Sequence, residues 1–110
     1  MKKLTQIVTA IACTAGIGFA SNAMALDGGA LYLDATKGGC SACHGKDAKT
    51  PVMPTYPVLA GQNAEYAYNQ IKDIQSGARS NGMTAAMKGV LHMTTDEEKK
   101  AIAKWISEQK

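Results

Sequence analysis

The spacing of apolar residues predicts helices with recognisable starts and stops. A first helix begins at Asp27, a favourable cap, and runs to about residue 36, before a pair of glycines. A second helix begins after Asn63 and ends before Gly77. The apolar stripes of these two helices consist of Ala30, Leu31 and Ala35, and of Ala67, Ile71 and Ile74.

The last helix carries the clearest signals. Thr95 can cap it, and Glu98 three residues later completes a capping box. One face is apolar and consists of Ala101, Ile102, Trp105 and Ile106, and the lysines at 99, 100 and 104 fall largely elsewhere. No stretch alternates apolar and polar residues as a strand does. The sequence therefore predicts an all-α fold.

Two segments between the helices have no helical period. Residues 45–62 contain all three prolines, which predicts a long irregular loop of the kind that is often functional in a small domain. Residues 79–94 hold most of the methionines that follow residue 25.

The first 25 residues have the form of a secretory signal peptide. Lys2 and Lys3 precede an apolar stretch, and Ala23-Met24-Ala25 has the small-x-small pattern of a cleavage site. A membrane anchor is the alternative, but polar residues interrupt the stretch and no stop-transfer charges follow it. We predict a signal peptide at 1–25, a domain at 26–110, a periplasmic location and no stable membrane insertion after cleavage.

Cleavage changes the size and charge of the chain. Subtracting 25 from 110 leaves 85 residues, near the size at which a domain struggles to bury enough apolar surface unaided. Loss of two lysines changes 12 basic and 9 acidic residues to 10 and 9, so the net charge falls from +3 to +1. A nearly neutral domain gives no indication of nucleic-acid binding.

The decisive motif is Cys-Ser-Ala-Cys-His at 40–44, the C-x-x-C-H arrangement for attachment of a c-type haem. Two thiols three residues apart lie on one side of a helical turn, where they can meet the two haem vinyl groups. The adjacent imidazole is then directed at the iron. The motif predicts one covalently attached haem c, bound through Cys40 and Cys43 and ligated by His44.

Three other interpretations use the same residues. A thioredoxin-like dithiol needs a βαβ pattern, and no strand-like run is nearby. A zinc site would combine Cys40 and Cys43 with His44 and His92, at an awkward spacing. A plain disulfide would leave His44 without a role.

A second axial ligand is expected from residues 79–94. Three of the four methionines after residue 25 lie there, namely Met83, Met87 and Met93, whereas Met53 lies in the proline-rich loop. Met53 and Met93 are interpreted as apolar fillers and His92 as a surface histidine.

Beyond these motifs, the sequence resembles a class I cytochrome c, and in particular the short bacterial monohaem cytochromes related to the halves of dihaem electron-transfer cytochromes. The resemblance covers nearly all of residues 26–110. It is carried by Cys-Ser-Ala-Cys-His-Gly at 40–45, Pro-Val-Leu-Ala-Gly-Gln at 57–62, Asn-Ala-Glu-Tyr from 63, Lys-Asp-Ile-Gln-Ser-Gly-Ala-Arg at 72–79 and Thr-Thr-Asp-Glu-Glu at 94–98.

The resemblance implies a haem wrapped by three to five helices, with the first and last helices crossing. It implies that Tyr32 and Trp105 form an aromatic pair at this crossing. It also implies that the backbone carbonyl of Pro57 accepts a hydrogen bond from the other ring nitrogen of His44, which orients this ligand.

The resemblance assigns the sixth ligand to Met87. In similar cytochromes the ligating methionine lies nine residues before the acidic residue that follows the last helix cap, which is Asp96 here. Met83 is the second candidate, because Asn-Gly-Met-Thr-Ala also resembles ligand segments in some relatives.

Iron held by histidine and methionine has no open coordination site, which favours a carrier of single electrons over an enzyme. We expect a monomer that exchanges electrons with redox protein donors and acceptors. Two alternatives remain open: the haem subunit of a periplasmic oxidoreductase, such as a sulfur-oxidising dehydrogenase, and a peroxidase-like enzyme with a displaceable sixth ligand.

Overall fold

A computed structural model describes residues 26–110, which form a helical domain with no strand in that range. Its α-helices are α1 (Gly28–Leu33), α2 (Cys40–His44), α3 (Ala64–Ser76), α4 (Thr84–Lys88) and α5 (Asp96–Ser107), with 3-10 turns at Ala35–Lys37 and Leu91–Met93. The predicted all-α fold is confirmed. The predicted signal peptide lies outside the described residues. Between residues 26 and 110, no helix is long and apolar enough to cross a membrane.

The predicted helix caps are confirmed. The Asp27 side chain accepts a hydrogen bond from the Ala30 amide at 3.0 Å, and Asn63 accepts one from the Tyr66 amide at 2.9 Å. Gly77 ends α3 in the left-handed region, at φ +93°, which a residue with a side chain rarely adopts. Thr95 and Glu98 form both bonds of the capping box at the start of α5.

The first helix is shorter than the sequence predicts. It ends at Leu33, and Asp34 has extended backbone angles. The Asp34 carboxylate accepts hydrogen bonds from the Thr36 amide at 2.8 Å and the Thr36 hydroxyl at 2.6 Å. Such local bonds offer the backbone an alternative to the helix, so the predicted second half becomes a 3-10 turn.

The core is organised around the crossing of α1 and α5. The rings of Tyr32 and Trp105 lie 4.7 Å apart at an interplanar angle of 32°, which confirms the aromatic pair. Tyr32 is fully buried and packs with Ala48, Ile102 and Ile106 to form what we call the first core cluster.

The close approach of α1 to α5 depends on a glycine. A Cβ atom at Gly28 would lie 2.8 Å from the carbonyl carbon of Ala101 and closer still to its oxygen. The backbone of α5 cannot move away as a flexible side chain can. The space beside the Cα atom of residue 28 therefore accommodates only the hydrogen atom of a glycine.

Gly28→Ala is therefore expected to destabilise the folded protein by about 1–3 kcal/mol, the usual cost of overpacking. Urea unfolding of the haem-containing protein measures this change. Gly29→Ala is the matched control, because its Cβ would meet the indole edge of Trp105, with Nε1 at 2.6 Å, and a side chain can shift. Equal losses in the two variants would contradict a specific backbone clash at Gly28.

A second core cluster lies on the other side of the domain. Ile71 and Ile74 of α3 pack with Leu91, and Met87 packs against them. The helix α3 also lies against α5, where the Tyr68 hydroxyl donates to the Asp96 carboxylate. Two small clusters in place of one large core agree with the expectation that this chain needs a further apolar component.

Candidate haem site

The Cys-Ser-Ala-Cys-His motif forms its own short helix, α2. Gly38 and Gly39, at φ +103° and +61°, turn the chain sharply before Cys40. Cys40 is half-buried against the first core cluster, whereas Cys43 is exposed. Burial raises the pKa of the Cys40 thiol, whereas reactive thioredoxin-like dithiols have a lowered pKa.

The zinc interpretation needs at least three converging ligands. No group of three or more His, Cys, Asp or Glu side chains that could hold a metal ion occurs in the described part of the chain. His92 lies on the exposed face of the 3-10 turn Leu91–Met93, away from the buried side of that turn.

The His44 ring is held by the backbone of the proline-rich loop. Its Nδ1 lies 3.0 Å from the carbonyl oxygen of Pro57, and the residue is 8% exposed. A carbonyl can only accept a hydrogen bond, so in the neutral imidazole this contact favours the tautomer with the proton on Nδ1 and the lone pair on Nε2. Nε2 forms no hydrogen bond within residues 26–110. Every fully buried side-chain N or O atom in that range has a hydrogen-bond partner, so Nε2, which has none, is not fully buried. Nε2 is therefore accessible to an external ligand.

The residue after His44 is fixed by α1. The Tyr32 hydroxyl donates to the Gly45 carbonyl at 2.6 Å, and the Ala48 amide donates to the same oxygen at 3.1 Å. Burial raises the pKa of Tyr32, which keeps this hydroxyl a donor. The family resemblance placed Tyr32 in the helix crossing, but neither it nor the sequence pattern indicated this bond, which joins residues 13 positions apart.

The two candidate methionines have different surroundings. Met87 is half-buried on α4 and packs against the second core cluster. Met83 precedes α4 and is 56% exposed. The helix α4 is only about one turn long, and no sequence pattern predicted it. The structure thus brings Met87 into contact with the packed interior and leaves Met83 at the surface.

Comparison with known proteins identifies the family to which this chain belongs. The cytochrome c family model matches residues 25–110. The chain belongs to the cytochrome c family.

Individual relatives agree with this family membership. The chain is 30% identical over 105 residues to cytochrome c-553 of Nitratidesulfovibrio vulgaris, with 94% of the chain and 98% of that protein covered. It is 36% identical over 100 residues to the thiosulfate dehydrogenase electron acceptor of Stutzerimonas stutzeri, with 84% of the chain and 44% of the relative covered. It is 36% identical over 77 residues to cytochrome c4 of the same species, with 64% of the chain and 36% of the relative covered. The chain thus spans less than half the length of these last two relatives.

Cytochromes c of this family bind haem c covalently, and the residues of this domain fit that group. Two thiols and an imidazole with a free Nε2 lie on one helix, α2, and a thioether lies on α4. Eight large apolar side chains are exposed within residues 26–110, and five of them belong to the segments 52–58 and 83–93, namely Val52, Met53, Val58, Met83 and Met93. Apolar side chains left at the surface of so small a domain suit contact with a large apolar group.

The burial of one lysine of α5 differs from the exposure that the sequence predicted. Lys99 is 4% exposed, although the α5 lysines were placed largely away from the apolar face. Helical spacing could have predicted the burial of Lys99, because residues 99, 102, 103 and 106 share one face of α5. Its Nζ donates to the carbonyl oxygen of Thr94 at 2.6 Å, while burial lowers its pKa.

Proposed function

We propose that the protein is a periplasmic carrier of single electrons, whose haem c is attached through Cys40 and Cys43 and ligated by His44 and Met87. The observation that carries this proposal is the geometry of His44, whose Nδ1 is held by the Pro57 carbonyl while Nε2 stays free. A bound haem c supplies an iron that changes between Fe(II) and Fe(III) by one electron.

Each proposed site residue has a separate task. The thiols of Cys40 and Cys43 would hold the haem: each would add across a vinyl C=C bond, so that an S–H bond and a π bond break while one S–C bond and one C–H bond form, with no net oxidation or reduction. The Pro57 carbonyl fixes the tautomer and orientation of His44 and increases its strength as a donor. The Met87 sulfur is a soft donor that would favour Fe(II) in a bound haem and so would raise its reduction potential.

A carrier is favoured over an enzyme because His44 and Met87 would together ligate a bound haem iron and leave it no open coordination position. A site with no open coordination position exchanges electrons but does not bind small oxidants. Redox proteins are the proposed donor and acceptor, and a relative named for accepting electrons from thiosulfate dehydrogenase supports a donor of the oxidoreductase class. We further propose that residues 1–25 are removed as a signal peptide and that the carrier is a monomer.

Carbon monoxide binding tests the proposal. The ferrous wild-type protein is expected to show no carbon monoxide complex at neutral pH, because Met87 occupies the sixth position, while it still exchanges electrons rapidly with a dehydrogenase donor. Optical spectra before and after addition of the gas check this. Met87→Ala serves as the positive control, since it should bind the gas promptly. Prompt binding by the wild type would favour the peroxidase-like alternative.

A further inference from the structure

Lys99 is unlike the other lysines of α5. Lys100 and Lys104 are exposed and lie 3.3–3.6 Å from carboxylates of the first turn of α5 and of Glu108, which follows its last residue. Lys99 is buried, and its only hydrogen-bond acceptor among residues 26–110 is the carbonyl oxygen of Thr94, before the start of the helix.

Burial of this lysine has an energetic cost that core packing alone does not explain. An ammonium group loses its hydration when it is buried, and an apolar side chain of similar size usually stabilises a core at least as well. The acceptor of Lys99 is a neutral backbone carbonyl and not a carboxylate. The position of that carbonyl therefore indicates the role of Lys99.

Thr94 ends the segment that carries Met87. Its hydroxyl donates to the Leu91 carbonyl at 3.1 Å, and its amide donates to the same oxygen at 3.3 Å. Leu91 belongs to the second core cluster, against which Met87 packs. The Val90 amide donates to the Met87 carbonyl at 3.0 Å. A continuous series of contacts thus joins the Lys99 ammonium to the Met87 segment.

The same end of α5 also holds the chain that precedes the attachment helix. Lys37 forms an ion pair with Glu98 at 2.9 Å, and Gly38 lies close to the Val90 carbonyl. The 3-10 turns Ala35–Lys37 and Leu91–Met93 contact each other directly. The start of α5 therefore fixes the segments before Cys40 and after Met87 relative to each other.

We infer that Lys99 is a positioning residue for the sixth ligand: by holding the Thr94 carbonyl, it keeps the segment after Met87 against α5 and so keeps the Met87 sulfur at the iron. This inference rests on the proposed assignment of Met87.

The test compares haem-containing variants by their affinity for imidazole in the ferric state, where imidazole competes with the methionine. Lys99→Met is expected to bind imidazole about tenfold more tightly than wild type, which is the size of effect expected from losing one hydrogen bond from a charged donor. Lys99→Arg can still donate a hydrogen bond to the Thr94 carbonyl, so its affinity for imidazole should be close to that of the wild type. Lys100→Met is the matched control and should leave the affinity unchanged.

The outcomes separate this inference from the proposed function. A near-infrared methionine band in the wild type, with imidazole affinity unchanged in Lys99→Met, would overturn the role of Lys99 alone. Absence of that band from the wild type would overturn the Met87 assignment and the inference together. If Lys99→Met yields no holoprotein, Lys99→Leu repeats the test, and failure of both would overturn the inference in favour of a general structural role.

Discussion

The double variant Cys40→Ala/Cys43→Ala is expected to retain no covalent haem, and each single variant should give only a small fraction of the wild-type holoprotein. The thioether bonds survive acid extraction and denaturing electrophoresis, whereas a ligated but unattached haem is lost. Haem-dependent peroxidase staining of the gel, with protein produced alongside a haem-attachment pathway, measures the result.

The expected loss is large because a bound haem would supply apolar contacts that residues 26–110 do not make among themselves. The described domain has two small apolar clusters, and large apolar side chains in the segments 52–58 and 83–93 are exposed. A group that binds only the folded state stabilises that state, so a chain without attached haem loses this contribution. Ser41→Ala, within the same helix, is the matched control and should stain as wild type does. Undiminished staining of the double variant would refute attachment through these cysteines.

Met87→Ala is expected to abolish the weak near-infrared band of methionine-ligated ferric haem and to lower the reduction potential. Loss of the soft thioether removes the preference for Fe(II), which is the physical reason for the change in potential. Absorption spectroscopy of the oxidised protein and redox titration measure these two effects.

Met83→Ala is the matched control for this prediction. Met87 packs against Ile71, Ile74 and Leu91, whereas Met83 is exposed and precedes the short helix α4. We therefore expect Met83→Ala to keep both the band and the potential. Persistence of the band in Met87→Ala, with its loss in Met83→Ala, would reverse the assignment.

The sequence predicts those features that depend on neighbouring residues. The caps at Asp27, Asn63 and Thr95 each depend on a side chain that bonds an amide three residues later, so local spacing is enough to find them. The attachment motif is equally local, because it is contained in one helical turn. The end of α1 before Asp34 was not predicted, because the Asp34 carboxylate favours a turn within a sequence pattern that is otherwise helical.

Features that depend on distant contacts could not be derived from local patterns. The contact between His44 and Pro57 spans 13 residues and was suggested only by resemblance to a family. The bond from Tyr32 to Gly45 and the short helix α4 had no signal of their own. The burial of Lys99 was visible in helical spacing, but a lysine among apolar residues can also extend its charged end to solvent.

The crossing of α1 and α5 has a consequence for the order in which the domain folds. Contacts between Gly28 and Ala101 close a loop that contains the attachment helix. Closing so long a loop loses chain entropy before any contact is gained, so it is slow compared with formation of the individual helices. We expect Cys40 and Cys43 to stay reachable while the loop is open. Thioether formation would then come first, and docking of α5 onto α1 would complete the domain around a haem that is already tethered.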